Sequence, residues 1–394
     1  MNGRRQHWAG VQKRGTRKYA AMLALFSISR SQRHSNMSHN RVNEIDLLRF
    51  LAALAVVFFH YAFRGYAADN LSLMPYPPLA SVSKYGYLGV ELFFMISGFV
   101  ILMTANGASL RTFVISRLVR LYPAFWACCT LTFLATLLIG APRYSASISQ
   151  YLINMSMLSG FVGVPSIDGA YWSLFVEMRF YVLVAAILVV GKIHKTQLLI
   201  ALWLAASIAI EIFQVEKLRN FLIVDYSAYF IAGAACFLVW SQGISGARIA
   251  LIFTCWVLAI YQSLITLPTF EKHYRVEMNP YIVAAIISAI FAVLLLVSLR
   301  RTGAFGRRRW ILAGALTYPF YLLHHNIGFM VFNLGYTRIN THLLFWGTFI
   351  AMLVCAFLIN KIVEKRFALP MKNFINRIAD VPTRHITRLT NRSN

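Results

Sequence analysis

Apolar runs broken by short, mostly basic segments recur from about residue 45 to residue 365. An α-helix needs roughly 20 residues to cross about 30 Å of hydrocarbon. Ten runs approach or exceed that length: 47–64, 84–105, 122–140, 171–191, 196–213, 222–241, 247–266, 280–299, 311–334 and 342–363. The fifth is the weakest, being short and following closely on the turn at Lys192–Lys195, so nine or eleven crossings are also compatible with the pattern. Residues 147–160 are apolar enough for an interfacial or re-entrant helix but too short to cross. The pattern predicts an all-α, polytopic integral membrane bundle of about ten transmembrane helices.

Composition agrees. Apolar residues make up 59% of the 394 and charged residues only 13%, where a soluble domain has about 45–50% and 25%. The net charge of +25 would fit a nucleic-acid binder, but its distribution does not. With ten spans both termini lie on one side, and the segments on that side hold 28 Lys and Arg against 8 on the other. The short loops alone give 11 against 8. By the positive-inside rule both termini are cytoplasmic, and the basic excess serves topology and attraction to anionic lipid. Nucleic acid is not an expected partner.

Three regions follow. Residues 1–42 form a basic extension expected to be disordered, 43–365 the transmembrane domain, and 366–394 a basic cytoplasmic tail. Tyr19–Ser29 is too short to span and ends at Arg30 without a small-residue cleavage site, so it does not read as a signal peptide. Met37 opens a stretch leading directly into the first span and is a candidate alternative start. The five cysteines, Cys128, Cys129, Cys236, Cys255 and Cys355, lie in apolar stretches without a Cys-x-x-Cys pair, and read as free, buried, small apolar residues rather than disulfide or zinc ligands.

An ionisable residue inside a bilayer is costly and marks a candidate functional position. Arg49 and His60 are eleven residues apart, about 1100° of helix rotation, so they share one face with about 16 Å between them along the axis. Arg49 then sits near the cytoplasmic mouth, His60 past mid-membrane. In the fourth span Glu177 lies about 9 Å from the outer end, a depth similar to that of His60. A carboxylate there could orient the imidazole and stabilise the imidazolium, as a general base requires. Structural alternatives are a snorkelling Arg49, a core-bonded His60 and a Glu177 paired with an arginine. Arg117 and Arg120, one turn apart before Tyr122-Pro123, form a two-cation clamp suited to phosphate, or ordinary positive-inside charge. Ser97-Gly98 allows close helix approach. In the ninth span Pro319 loosens the helix ahead of His324 and His325.

The arginine-ten-histidine spacing of Arg49 and His60, Phe93-Phe94-x-x-Ser97-Gly98, Arg117-x-x-Arg120 followed by Tyr-Pro, Ser173-Leu-x-x-Glu177 and Tyr318-Pro-x-Tyr321-Leu-x-His324 occur in order. Together they resemble the membrane acyltransferase-3 family over about residues 43–365. The resemblance implies ten membrane helices in a bacterial cytoplasmic (inner) membrane and transfer of an acyl group, commonly acetyl, from cytoplasmic acyl-CoA to a hydroxyl of a cell-envelope glycan, glycolipid or other exported acceptor. It implies catalytic positions at His60, Glu177 and His324, donor-binding positions at Arg49, Arg117, Arg120 and Ser97, acetyl-CoA or another acyl-CoA as co-substrate, and no metal. Some relatives add a soluble esterase-like domain, which is not expected here after the tenth span.

Read with the residues, the resemblance points to His60 as general base, with a covalent acyl-histidine as the variant route. Two other classes compete: a transporter, since buried charges also line solute and proton paths, and a structural membrane subunit. No inverted repeat supports the former. The chain also lacks a phosphate-binding Gly-rich loop, a His-Glu-x-x-His pair and a Gly-x-Ser-x-Gly elbow. Tyr66, Tyr76, Tyr85, Tyr144 and Tyr151 in outer segments fit sugar stacking and interfacial anchoring equally.

Overall fold

The computed structural model describes residues 42–390. The alternative start at Met37 and all but the last residue of the 1–42 extension lie outside the described residues. The chain divides into Met1–Asn43 and Glu44–Asn394, and the second unit holds the bundle. Its long helices are α1 (Asn43–Phe59), α2 (Gly89–Ala105), α3 (Leu110–Ile139), α4 (Trp172–Val189), α5 (Thr196–Phe213), α6 (Val224–Gln242), α7 (Gly246–Tyr274), α8 (Pro280–Ser298), α9 (Ile311–Gly335), α10 (Thr341–Ile359) and α11 (Lys365–Thr390). No strand occurs among the described residues.

Nine helices among the described residues are long and apolar enough to cross a membrane. The ninth expected span, α9, is the exception in composition and not in length, since it runs for 25 residues. Its middle carries His324, His325 and Asn326, which dilute its hydropathy, yet Phe320 through His325 are all buried. A helix that polar is stable here because it packs between α3 and α10 and bonds His324, Nδ1 of His325 and Asn326 inside the protein.

Loop contacts show the alternation of direction. Where α1 begins, the Thr302 hydroxyl donates to Glu44, Arg300 reaches the carbonyl of Trp240 at 3.3 Å, and Arg248 reaches Gln197 at 3.1 Å. At the opposite end Arg143 donates to the Asn70 carbonyl at 2.7 Å, Tyr144 to that of Leu71 at 2.9 Å, and His273 meets Asp69 at 3.3 Å. These are the same two sets of loops that the charge count separates.

Two helices extend beyond their apolar runs. The third begins at Leu110 rather than near 122, with Ser109 accepting from the Thr112 N–H as its N-cap. At 1.5 Å per residue its 30 residues span about 45 Å, more than the hydrocarbon thickness. Its first three turns, bearing Arg111, Arg117 and Arg120, therefore project past the apolar layer and pack on α11. The continuous helical stretch Thr341–Ile378 has 38 residues, about 57 Å, so α11 also runs outside that layer.

The centre of the bundle is the α2–α6 contact. A Cβ on Gly98 would stand 2.1 Å from the Phe230 carbonyl oxygen, and one on Gly233 would stand 1.9 Å from that of Met95. Backbone meets backbone here, and only glycine permits it. The seven-residue helix Ile148–Asn154 exposes Ile148 and Leu152 and buries Asn154, as expected of an interfacial segment. All five cysteines are free, and four are buried.

Candidate active site

The α-helix of α1 gives way at His60 to a π-turn, His60–Arg64, a distortion often found at functional sites. It brings His60 against the polar middle of α9. His60, His324 and His325 are 4%, 0% and 2% exposed. Nδ1 of His60 lies 2.9 Å from Nε2 of His324, and Nδ1 of His324 lies 2.8 Å from the Tyr321 carbonyl oxygen.

These two contacts settle the tautomers of the neutral rings. A carbonyl oxygen only accepts, so Nδ1 of His324 carries a proton and its Nε2 carries a lone pair. Nδ1 of His60 must then donate to that Nε2, which leaves Nε2 of His60 unprotonated. Arg64 Nη1 approaches this Nε2 at 3.4 Å, as a donor approaches a lone pair. The chain of bonds presents His60 as a base with one defined basic atom. Tyr61, one residue on, donates to the His324 carbonyl at 2.8 Å and fixes α9 against the turn.

Glu177 is not part of this chain. Its Oε1 accepts from Ser97 Oγ at 2.7 Å, and it lines a separate pocket with Arg49, Arg117, Arg120, Ser97 and Tyr181. The pairing with His60 suggested by depth is replaced by His324. Depth along an axis carries no information on azimuth, and Glu177 turns toward α2. Ser97 lines the pocket, with its hydroxyl committed to Glu177. Arg179 instead reaches the Asn220 carbonyl at 3.2 Å.

The arginine pocket encloses about 80 Å³. Arg117 contacts the hydroxyls of Thr104 and Ser116, each at 3.3 Å. Among the described residues none of Arg49, Arg117 and Arg120 has a carboxylate within 4.0 Å. Three guanidinium groups beside one carboxylate, already bonded to a serine, leave the pocket with surplus positive charge suited to an anionic ligand. Tyr318, also in the lining, has a buried hydroxyl without a partner. Tyr321 joins the two sites: its side chain lines the pocket and its hydroxyl meets Ser173 at 2.7 Å, while its carbonyl holds His324.

Sequence reasoning missed Asp168. This fully buried carboxylate accepts from the N–H groups of Ala170 at 2.8 Å and Asn326 at 3.0 Å, and lies 3.8 Å from Nδ1 of His325. It ties the loop before α4 to the histidine segment. Burial pushes its carboxyl up to about 7, against the opposing effect of the two N–H donors. With only 13 acids in the chain, an acid bordering a span was an available signal. Glu91 was missed too, an intramembrane carboxylate whose Oε2 is buried without a partner.

Fold and geometry define a polytopic membrane protein with a cluster of buried histidines and a pocket lined by three arginines. The family profile described as an acyltransferase domain matches residues 42–361, and the chain belongs to the acyltransferase-3 family. It is similar to ORF330 of Acidianus two-tailed virus, 26% identical over 46% of this chain and 51% of that one. It is also similar to Nodulation protein 10 of Rhizobium leguminosarum bv. viciae, 29% identical over 39% and 46%. Peptidoglycan O-acetyltransferase OatA of Listeria monocytogenes serovar 1/2a is 28% identical over 40% of this chain and 26% of that protein. The alignments thus span about half or less of each relative's length. No solved structure matches the chain.

Proposed function

We propose that this protein is a membrane O-acyltransferase of the bacterial cytoplasmic membrane. It moves an acetyl group from cytoplasmic acetyl-CoA to a hydroxyl of a cell-envelope or exported saccharide. The observation that carries this reading is the tautomer chain that leaves Nε2 of His60 unprotonated, its lone pair faced by Arg64 at 3.4 Å, with His324 bonded to the carbonyl of Tyr321, a residue that also lines the cationic pocket. Support for the acceptor comes from the family and from a relative named a peptidoglycan O-acetyltransferase.

In this mechanism Arg117 and Arg120 grip the donor's diphosphate at the pocket mouth, Arg49 adds charge deeper in, and the thioester reaches His60 past Tyr321. The acceptor hydroxyl gives its proton to Nε2 of His60 as its oxygen bonds to the thioester carbon. The tetrahedral centre then collapses with cleavage of the C–S bond. The imidazolium returns the proton to the departing thiolate, yielding an ester and free CoA. Arg64, whose Nε is buried without a partner, supplies positive charge to the oxyanion. His324 positions His60, and Glu177 fixes Ser97 in the pocket wall through its 2.7 Å bond and offsets part of the arginines' charge.

The test is CoA release from acetyl-CoA by purified protein in proteoliposomes, with an envelope-glycan extract as acceptor. Extract-dependent release is expected, and Arg120→Ala should raise the KM for acetyl-CoA about tenfold. No release with acetyl-, succinyl- or longer acyl-CoA would overturn the reading.

A further inference from the structure

The arginine pocket, at about 80 Å³, is well below the roughly 300–1,000 Å³ of sites that enclose a cofactor-sized ligand. It can hold the narrow arm of an acyl thioester but not a nucleotide. A second groove adjoins it and shares Arg120. This groove has about 670 Å³ and lies between the projecting start of α3 (Arg111, Ser116, Arg120) and the α10–α11 junction (Lys365, Lys372, Asn376).

Three further observations bear on its ligand. Lys365, Lys372 and Asn376 fall within about 40° of one another around α11, whereas Phe367, Phe374 and Ile378 lie on the opposite side and are 52%, 64% and 56% exposed. The lysines therefore look into the groove and away from the apolar stripe by which an amphipathic helix rests on lipid. The far end is closed by Arg111, which pairs with Asp380 at 2.6 Å and reaches the Asn376 side chain at 3.3 Å. The one carboxylate in the lining, Glu364, accepts from Asn360. Neither Lys365 nor Lys372 forms an ion pair among the described residues.

We propose that the α3–α11 groove binds the phosphorylated nucleoside end of the acyl donor, with Lys365 and Lys372 on its terminal phosphate and Arg120 at the passage into the arginine pocket. This rests on the acyl-thioester reading of the neighbouring site. The donor then lies bent around Arg120, nucleotide on the α11 side and thioester arm inward. An anionic lipid headgroup offers the same phosphate chemistry, and the experiment separates the two.

Binding of adenosine 3′,5′-bisphosphate to the full chain is measured directly in nanodiscs of neutral phosphatidylcholine, for wild type, Lys365→Glu/Lys372→Glu and Lys365→Arg/Lys372→Arg. Wild-type binding, weakened about tenfold or more in the double-Glu variant and kept in the double-Arg variant, is expected. In turnover, the double-Glu KM should rise more for acetyl-CoA than for S-acetylpantetheine, which carries no phosphate. Absent binding by wild type, or equal binding by the double-Glu variant, would overturn the proposal. So would a KM effect that appears only when phosphatidylglycerol is present, since the lysines would then serve lipid. If wild type binds the bisphosphate but cleaves no thioester, the groove stands and the acyltransferase reading of the inner site fails.

Discussion

His60 acquires its chemical direction from an atom 264 positions away in sequence, Nε2 of His324. Removing that acceptor frees the His60 ring to rotate and to adopt the other tautomer. His324→Ala should therefore lower kcat by about 10²-fold or more with a much smaller change in donor KM. His324→Gln, whose side-chain oxygen can accept from Nδ1, should recover part of the loss. Steady-state kinetics on the three proteins checks this; an equal rise in KM would point to a binding role. Asp168 makes a pH prediction. Its carboxyl, at about 7 in the folded protein against about 4 in an unfolded chain, binds more protons folded than unfolded between those values. Its contribution to stability is thus fully present below about pH 4, is lost as pH rises toward 7, and is flat above. Asp168→Asn removes this dependence, so wild type should lose thermal stability relative to the variant between pH 4 and 7 in detergent. A pH-independent difference would contradict it. At this scale the sequence singled out Arg49, His60, Arg117, Arg120 and His324 as candidates, because an ionisable group inside an apolar run is conspicuous. It could not reveal which partner each finds, since Glu177 and His324 are both plausible until azimuth is known, and Asp168, in a loop bordering the fourth span, stood out only by the scarcity of acids.

Among elements, apolar content made the bundle legible, and its limits show where that signal ends. A helix leaving the membrane continues on hydrogen bonding and packing without apolar side chains, so the basic first turns of α3 carried no hydropathy signal. In α9 the reverse holds: the polar residues that lower its hydropathy are held by bonds inside the bundle. The α2–α6 contact is the element-scale feature most exposed to mutation. Gly98→Leu would drive a side chain into the Phe230 backbone, whose carbonyl oxygen lies only 2.1 Å from where the first side-chain carbon would stand. We expect about 1–3 kcal/mol of destabilisation, or more, seen as a lower unfolding temperature and a smaller monodisperse fraction in detergent. Gly246→Leu, where a Cβ would meet nothing within 4 Å, should be tolerated. Similar losses for both would argue against backbone contact as the cause.

At the scale of the molecule, the two sets of loops and the two sites make a polarity. Arg49, Arg117, Arg120 and the α3–α11 groove belong to the end where α1 begins, and Arg64, Asp69 and His273 to the other. The Lys and Arg bias assigns the first end to the cytoplasm. Reporter fusions should therefore give a fluorescent, phosphatase-inactive product after residue 394 and the opposite after Arg275, and the reverse pattern would invert the donor's route of entry. Charge counting made the division of the loops into two sets readable from sequence alone, whereas the size mismatch between the two pockets required the packed structure.

In the proposed reaction Nε2 of His60 takes the acceptor's proton. The most direct measurement is transfer of radiolabelled acetyl from acetyl-CoA into saccharide by proteoliposomes of wild type and His60→Ala, both verified as folded by size exclusion and by equal binding of CoA. Label in the saccharide with wild type, and none above background with His60→Ala at unchanged CoA binding, is the predicted result; full transfer by His60→Ala would contradict it.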